Sequence, residues 1–144
     1  MWNSRRKPEP VVEERPPRKT EVTFEGLEPW TPGPGLTRCR VGDREFDLRE
    51  DATFLGYDFG EYGMLTLRWY HDPDGADPRR LTLDFDYLRG FRAEPAHGGS
   101  RLPGETEGWT YRPGDAGRAD FAVYAGEHNL FFSAGGVRLR VTEG

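Results

Sequence analysis

Two stretches of alternating apolar residues, on either side of a polar loop, constrain this fold more than any other feature of the chain. Side chains alternate between the two faces of a strand, so apolar residues at every second position share one face. The residues in this pattern are Leu65, Leu67, Trp69, Leu81, Leu83 and Phe85. Residues 71–80 between them are rich in Asp, Pro and Gly, which favour turns. The pattern predicts two antiparallel strands joined by that loop.

The composition extends this prediction to the whole chain. The sequence has 144 residues, enough for one domain with a real core. Its 19 glycines and 12 prolines favour short strands separated by turns and argue against long helices. We therefore predict an all-β fold: a single-domain antiparallel sandwich or partly open barrel of about eight to nine short strands, spanning residues 20–144.

A hairpin around Gly42-Asp43 has the clearest local signal. A Gly-X pair suits a two-residue type II′ turn. In the register that this turn sets, Arg38 faces Asp47 and Cys39 faces Phe46. Opposite charges then pair on one face while apolar side chains gather on the other, so two independent patterns predict one register.

A second hairpin is predicted around Gly135-Gly136, at the end of a C-terminal meander. Its register would place Phe132 opposite Leu139 on one face. On the other face it would place the Arg140 guanidinium over the Phe131 ring.

The remaining segments are assigned by the same two signals, alternation and turn residues. Further strands are predicted at residues 22–27, 53–59 and 119–125, with a short edge strand at 109–111. Residues 28–35 and 93–108 are predicted to be irregular connections. Residues 87–92 could continue the preceding strand past a bulge or form a turn of helix.

The charge is distributed unevenly. Residues 1–19 contain six Arg or Lys, three Glu and four Pro, whereas the rest of the chain carries 14 basic and 22 acidic residues. A basic, proline-rich arm with few apolar groups cannot offset the entropy of ordering, so it is predicted to be disordered alone. Trp2, Val11 and Val12 are its candidate anchors on a partner. Nucleic acid is an unlikely partner, because glutamates interleave the charges and no aromatic platform is present.

Aromatic residues outside the predicted strand cores are candidates for a binding surface. Trp and Tyr are enriched at interfaces because they combine a large rigid area with a polar group. These residues are Trp30, Tyr62, Tyr70, Trp109, Tyr111 and Tyr124. The alternative is that they close the ends of the barrel or sandwich. The predicted partner is another protein or copies of this chain.

No stretch of the sequence has the residue pattern of a catalytic or metal-binding site. Cys39 is the only cysteine, so an intramolecular disulfide and a cysteine-cluster zinc site are excluded. His71, His97 and His128 lack metal-ligand spacing and are predicted to be surface loop residues. The loop at residues 72–77 fails the calcium-loop pattern at its decisive positions. We predict no enzyme activity, no metal and no cofactor.

No apolar stretch approaches the roughly 20 residues that span a bilayer, so no membrane association is predicted. The N-terminal residues lack an apolar segment of signal-peptide length, and the expected compartment is the cytoplasm.

Several segments together resemble a known group of proteins. They are residues 65–69, 81–85, 91–92, 128–132 and 137–141. In these segments the chain resembles small, acidic, β-rich actinobacterial proteins of the immunity-protein type, which pair with toxins. The resemblance implies a non-catalytic, immunity-like or accessory β domain whose acidic surface masks a partner. The basic arm departs from that pattern and favours an alternative, a structural subunit of a virion or similar assembly whose arm docks on a neighbour.

Overall fold

The computed structural model describes residues 21–99 and 101–144, and the predicted arm with Trp2, Val11 and Val12 lies outside them. The described residues form twelve strands joined by turns, with short 3₁₀ turns at Glu61–Gly63 and His97–Gly99. The strands are β1 Thr23–Glu25, β2 Gly33–Leu36, β3 Arg38–Val41, β4 Arg44–Asp47, β5 Ala52–Phe59, β6 Leu65–His71, β7 Arg79–Asp86, β8 Arg89–Pro95, β9 Thr106–Pro113, β10 Ala119–Ala125, β11 His128–Ala134 and β12 Gly136–Glu143.

The strands build an all-β sandwich of two five-stranded sheets. The first sheet has the order β1-β12-β7-β6-β5, and the second has the order β2-β9-β10-β11-β8. The β3–β4 hairpin is a separate two-stranded sheet. The predicted fold class is therefore confirmed. The sheets are not closed into a barrel, and the strand number exceeds the predicted eight to nine.

The core lies between the sheets and is built on the predicted central pair. β6 and β7 are antiparallel, with Leu67 opposite Leu83 and Trp69 opposite Leu81. All six residues of the alternating pattern are buried. The indole N–H of Trp69 donates to the hydroxyl of Thr106 on the facing sheet at 2.9 Å, so this buried polar group is paired as well.

The first predicted hairpin has the predicted register. Arg38 pairs with Asp47 and Cys39 with Phe46 across β3 and β4. Gly42 has a φ of 62°, which the first central position of a type II′ turn requires and glycine adopts without strain. Cys39 and Phe46 are fully buried, so the hairpin contributes its apolar face to the core.

The second predicted hairpin is wrong. β11 pairs with β10 and β8 in the second sheet, whereas β12 pairs with β7 and β1 in the first. Phe132 and Leu139 both point into the core, but from opposite sheets. Arg140 accordingly contacts Asp84 on β7, and Arg92 on β8 lies over the Phe131 ring. Alternation identifies the inward face of each strand without identifying its sheet.

Four other expectations change because strands lie in places that local patterns do not show. After β7 the chain turns at Tyr87, which has a φ of 54°, and crosses to the second sheet as β8, so the strand does not continue. The loop predicted at 93–108 is shorter in the structure, because β8 runs to Pro95 and β9 begins at Thr106. β9 has eight residues and lies between β2 and β10, so the prediction of a short edge strand was wrong. Part of the predicted 28–35 connection forms β2, an edge strand that tolerates Pro34.

β5 departs from simple alternation because it contains a bulge. The register shifts between Phe54 and Gly56, which places Phe54 in the core and leaves Leu55 half exposed. Phe59 at the end of the strand is also about half exposed, at 51%.

Candidate binding face of the second sheet

The register of four strands arranges the outward side chains of the second sheet in rows. Phe121 and Val123 of β10 point into the core, so the residues that alternate with them, Asp120, Ala122 and Tyr124, point outward. Three rows cross β9, β10, β11 and β8 in that order. The arginine row is Arg112, Asp120, Ser133 and Arg89; the apolar row is Thr110, Ala122, Phe131 and Arg92; the far row is Gly108, Tyr124, Asn129 and Glu94.

Phe131 of the apolar row and Tyr124 of the far row form a half-buried aromatic floor. The Tyr124 and Phe131 rings meet edge to face with centroids 6.2 Å apart. The Arg92 guanidinium lies 4.6 Å from the centroid of the Phe131 ring. Thr110 and Ala122 are small, so they leave room above the sheet next to these rings.

The arginine row carries cations that the fold does not neutralise. Within residues 21–99 and 101–144, the side chains of Arg89 and Arg112 make no hydrogen bond or ion pair. Arg118, next to this row, donates to the Ser133 hydroxyl at 2.9 Å and to the carbonyl oxygen of Tyr87. Burial and then the nearby Arg89 charge lower the pKa of Arg118. The electrostatic potential at this end is therefore positive.

An open groove runs over these rows. A cavity of about 520 Å³ covers the arginine and apolar rows, and a second of about 1040 Å³ continues beyond the far row. Pro34, Thr110 and Tyr124 line both, so the two form one continuous depression, which we call the outer groove.

The far end of the outer groove carries charges that are mostly paired. Four glutamates lie in the far row or line the groove beyond it, and three of them form ion pairs: Glu50 with Arg49 at 3.6 Å, Glu94 with Arg92 at 2.6 Å and Glu107 with Arg101 at 2.8 Å, while Glu105 has no arginine partner among the described residues. Arg101 already bonds within the fold: its side chain is 8% exposed and donates to the carbonyl oxygens of Gly126 and His128. It also donates to Asn129 and Glu107 at 2.8 Å. The outer groove thus runs from a positive end, where Arg89 and Arg112 have no described partner, to an end where most charges are paired and Glu105 leaves a small excess of negative charge.

The structure separates the aromatic residues that the sequence suggested as a binding surface. Trp30, Trp109 and Tyr111 are buried in the core, where the Trp30 and Trp109 rings are 5.1 Å apart. Tyr62 is 98% exposed at the tip of a turn, and Tyr70 is half-buried on the outer face of the first sheet. Of the six aromatic candidates, Tyr124 lines both cavities of the outer groove and the buried Trp109 borders the larger one. The alternative, that these rings fill and close the sandwich, holds for the first three.

The sequence did not suggest the other residues of the outer groove. Arg89, Arg112, Ala122 and Phe131 meet only because β9 lies inside the sheet and β8 lies next to β11. The outward position of Phe131 was visible in the alternation of β11, but its neighbours depended on the sheet assignment.

Two buried side chains with reactive groups, Cys39 and His71, lie where the β3–β4 hairpin packs on the sandwich. Burial raises the pKa of the Cys39 thiol to about 12, and the adjacent Trp30 side chain opposes this only in part. His71 ends β6 and is buried, so its prediction as a surface loop residue was wrong; it continues the inward alternation of Leu65, Leu67 and Trp69.

The His71 ring is enclosed without polar partners. Its centroid lies 5.0 Å from that of Phe46, and neither ring nitrogen has a hydrogen-bond partner among the described residues. Burial lowers the pKa of His71, partly offset by the nearby Asp51 carboxylate. The ring is therefore neutral at pH 7.

Neither the described residues nor known proteins assign a function to the chain. Across the described part of the chain, no group of three His, Cys, Asp or Glu residues is arranged to hold a metal ion. No helix in residues 21–99 and 101–144 is long and apolar enough to cross a bilayer. No protein-family model, curated protein or solved structure significantly matches the chain.

Proposed function

We propose that this chain is a non-catalytic protein-binding β domain, immunity-like or accessory, whose binding surface is the outer groove. The observation that carries the proposal is the pair of unneutralised arginines, Arg89 and Arg112, beside the half-buried Tyr124 and Phe131 rings. Arginine and aromatic side chains on a concave surface are the groups that contribute most binding energy at protein interfaces.

The buried reactive groups support a binding role over a catalytic one. A thiol with a pKa of about 12 is protonated at neutral pH and cannot act as a nucleophile. The His71 ring is shielded by Phe46 and has no hydrogen-bond partner among the described residues to orient it as a base. Neither residue lines the outer groove.

The two other expectations on function stay predictions. A structural subunit of a larger assembly depends on the N-terminal arm, which lies outside the described residues. We also propose the cytoplasm as the compartment in which the protein acts.

Site-specific photo-crosslinking in the native cell tests the proposal. A photoreactive amino acid at Ala122 would face the outer groove, and one at Thr82 is the matched control. Thr82 is also a half-buried outward residue on a central strand, but of the first sheet. We expect a discrete crosslinked protein from position 122 and none from 82. Equal products from both positions, or a product from 82 alone, would contradict the proposal.

A further inference from the structure

We infer that the partner presents an extended acidic segment to the outer groove. Its carboxylates would lie on Arg89 and Arg112, and an apolar side chain would lie over Ala122 and Phe131. The inference rests on the proposed protein-binding function and specifies its partner.

Charge complementarity identifies the chemistry of the partner. The arginine row has Asp120 as its one carboxylate against Arg89 and Arg112, with Arg118 next to it, in the part of the chain that the structure describes, although residues 20–144 are acidic overall. A free guanidinium binds a carboxylate through two parallel hydrogen bonds, the strongest polar contact available on a protein surface. Because Arg89 and Arg112 have no partner within the described residues, binding a carboxylate would break no existing ion pair there.

The charge gradient sets the direction of the bound segment. The far end of the outer groove offers a carboxylate no unpaired arginine, because Arg49 already pairs with Glu50 and Arg101 with Glu107, and Glu105 adds a further negative charge there. A segment with its acidic residues over the arginine row and neutral or basic residues at the far end satisfies both ends. The reversed orientation would leave Arg89 and Arg112 without an acceptor and would place carboxylates beside Glu105.

The shape of the outer groove favours an extended chain. The groove is continuous along β9 and β10, and β10 has seven residues, which span about 20 Å at roughly 3.3 Å per residue. A segment of about six or seven extended residues has that length. The small floor residues Thr110 and Ala122 leave space beside the Phe131 ring for an apolar side chain.

Selection from a random decapeptide display library tests the inference with the full-length chain. We expect peptides with two or more Asp or Glu at one end and an apolar residue in the middle. Arg89→Gln/Arg112→Gln should weaken the selected peptides at least about tenfold, because charge-assisted hydrogen bonds are lost. Arg138→Gln, which removes an exposed arginine from the first sheet, should change the affinity less than about twofold.

Ala122→Trp separates failure of this inference from failure of the proposed function. The indole would fill the floor of the outer groove without entering the core, and we expect it to abolish peptide binding. Selected peptides that lack acidic residues but are lost in Ala122→Trp would overturn the acidic segment and leave protein binding intact. Selection that is unaffected by Ala122→Trp would overturn both. Displacement of the peptides by a 12-nucleotide oligothymidylate at lower concentration than by unlabelled peptide would show a polyphosphate site instead.

Discussion

The outer faces of the two sheets follow the same alternation of side chains but differ in how their charged groups are paired. On the first sheet the outward polar groups pair with one another. Asp84 accepts from the Thr66 hydroxyl and from Arg140, each at 2.8 Å, and Arg68 lies 2.9 Å from Asp58. On the second sheet, Ser133 separates Arg89 from Asp120, and Arg112 lies opposite Asp120 without forming an ion pair, so Arg89 and Arg112 have no described partner.

The difference shows how a sheet face becomes available to a ligand. A ligand that binds the first face must break pairs that already satisfy its charges, which subtracts from the binding free energy. A ligand at the second face displaces water from free guanidinium groups and half-buried rings. Saturated pairing therefore favours stability, and incomplete pairing next to small residues favours recognition.

The largest expected difference between the faces is in stability. Asp84→Ala removes a carboxylate that is 2% exposed and leaves Arg140 and Thr66 without their acceptor. We expect it to lower the free energy of unfolding by about 2 to 3 kcal/mol, since the other member of the pair is half exposed. Asp120→Ala, at the corresponding place on the second face, should cost less than about 0.5 kcal/mol. Urea denaturation of both variants measures the contrast, and equal losses would contradict it.

A smaller effect is expected for a residue that belongs to neither face. Cys39 is fully buried in the β3–β4 hairpin, so Cys39→Ala should cost about 1 kcal/mol and leave peptide binding unchanged. The native thiol should also resist labelling, because burial raises its pKa to about 12. Labelling of the folded protein as fast as of the urea-unfolded protein would contradict the burial of the hairpin.

The parts of the fold that the sequence predicted are those set by neighbouring residues. The register around Gly42-Asp43 follows from a two-residue turn, and the β6–β7 pair follows from long alternation on both sides of one loop. His71 continues the same alternation, so its burial could have been predicted by extending β6 by one further inward position.

The outer groove could not be predicted because it depends on long-range pairing. Both β11 and β12 bury one face, and the Gly135-Gly136 pair at their junction suits a hairpin as well as a crossing from one sheet to the other. The structure shows why the crossing occurs. A Cβ atom at Gly136 would lie 2.4 Å from the Asp86 carboxylate, and the Gly135 N–H donates to the Asp86 carbonyl oxygen. These contacts attach the link to the end of β7, which local patterns do not encode.

Acid titration should distinguish the buried ring of His71 from the charges of both faces. Burial is the main reason why the folded-state pKa of His71 is lowered, so the unfolded chain binds the proton more readily. The resulting stability is fully present above the unfolded pKa of 6.5 and is lost as the pH falls through it toward the folded pKa.

We therefore expect the urea midpoint to fall between about pH 7 and pH 5, and His71→Phe to remove most of that slope. The pKa of Asp47 is lowered by hydrogen bonds from the Glu50 and Arg49 amides, and its contribution is lost only below about pH 4. A slope that persists in His71→Phe would assign the acid sensitivity to another group.

The smallest expected effect on stability is at the outer groove itself, where the comparison is sharpest. Arg89→Gln/Arg112→Gln removes two cations that have no described partner, so the free energy of unfolding should change by less than about 0.5 kcal/mol. Arg68→Gln on the first face breaks the 2.9 Å contact with Asp58, an exposed pair, and should cost up to about 1 kcal/mol. Binding should respond in the opposite order, with the double variant losing the selected peptides and Arg68→Gln retaining them. Thermal melts and peptide titrations of the same two proteins measure both quantities. A large loss of stability in the double variant would show that these arginines hold the fold together, and the distinction between a saturated and an available face would then be wrong.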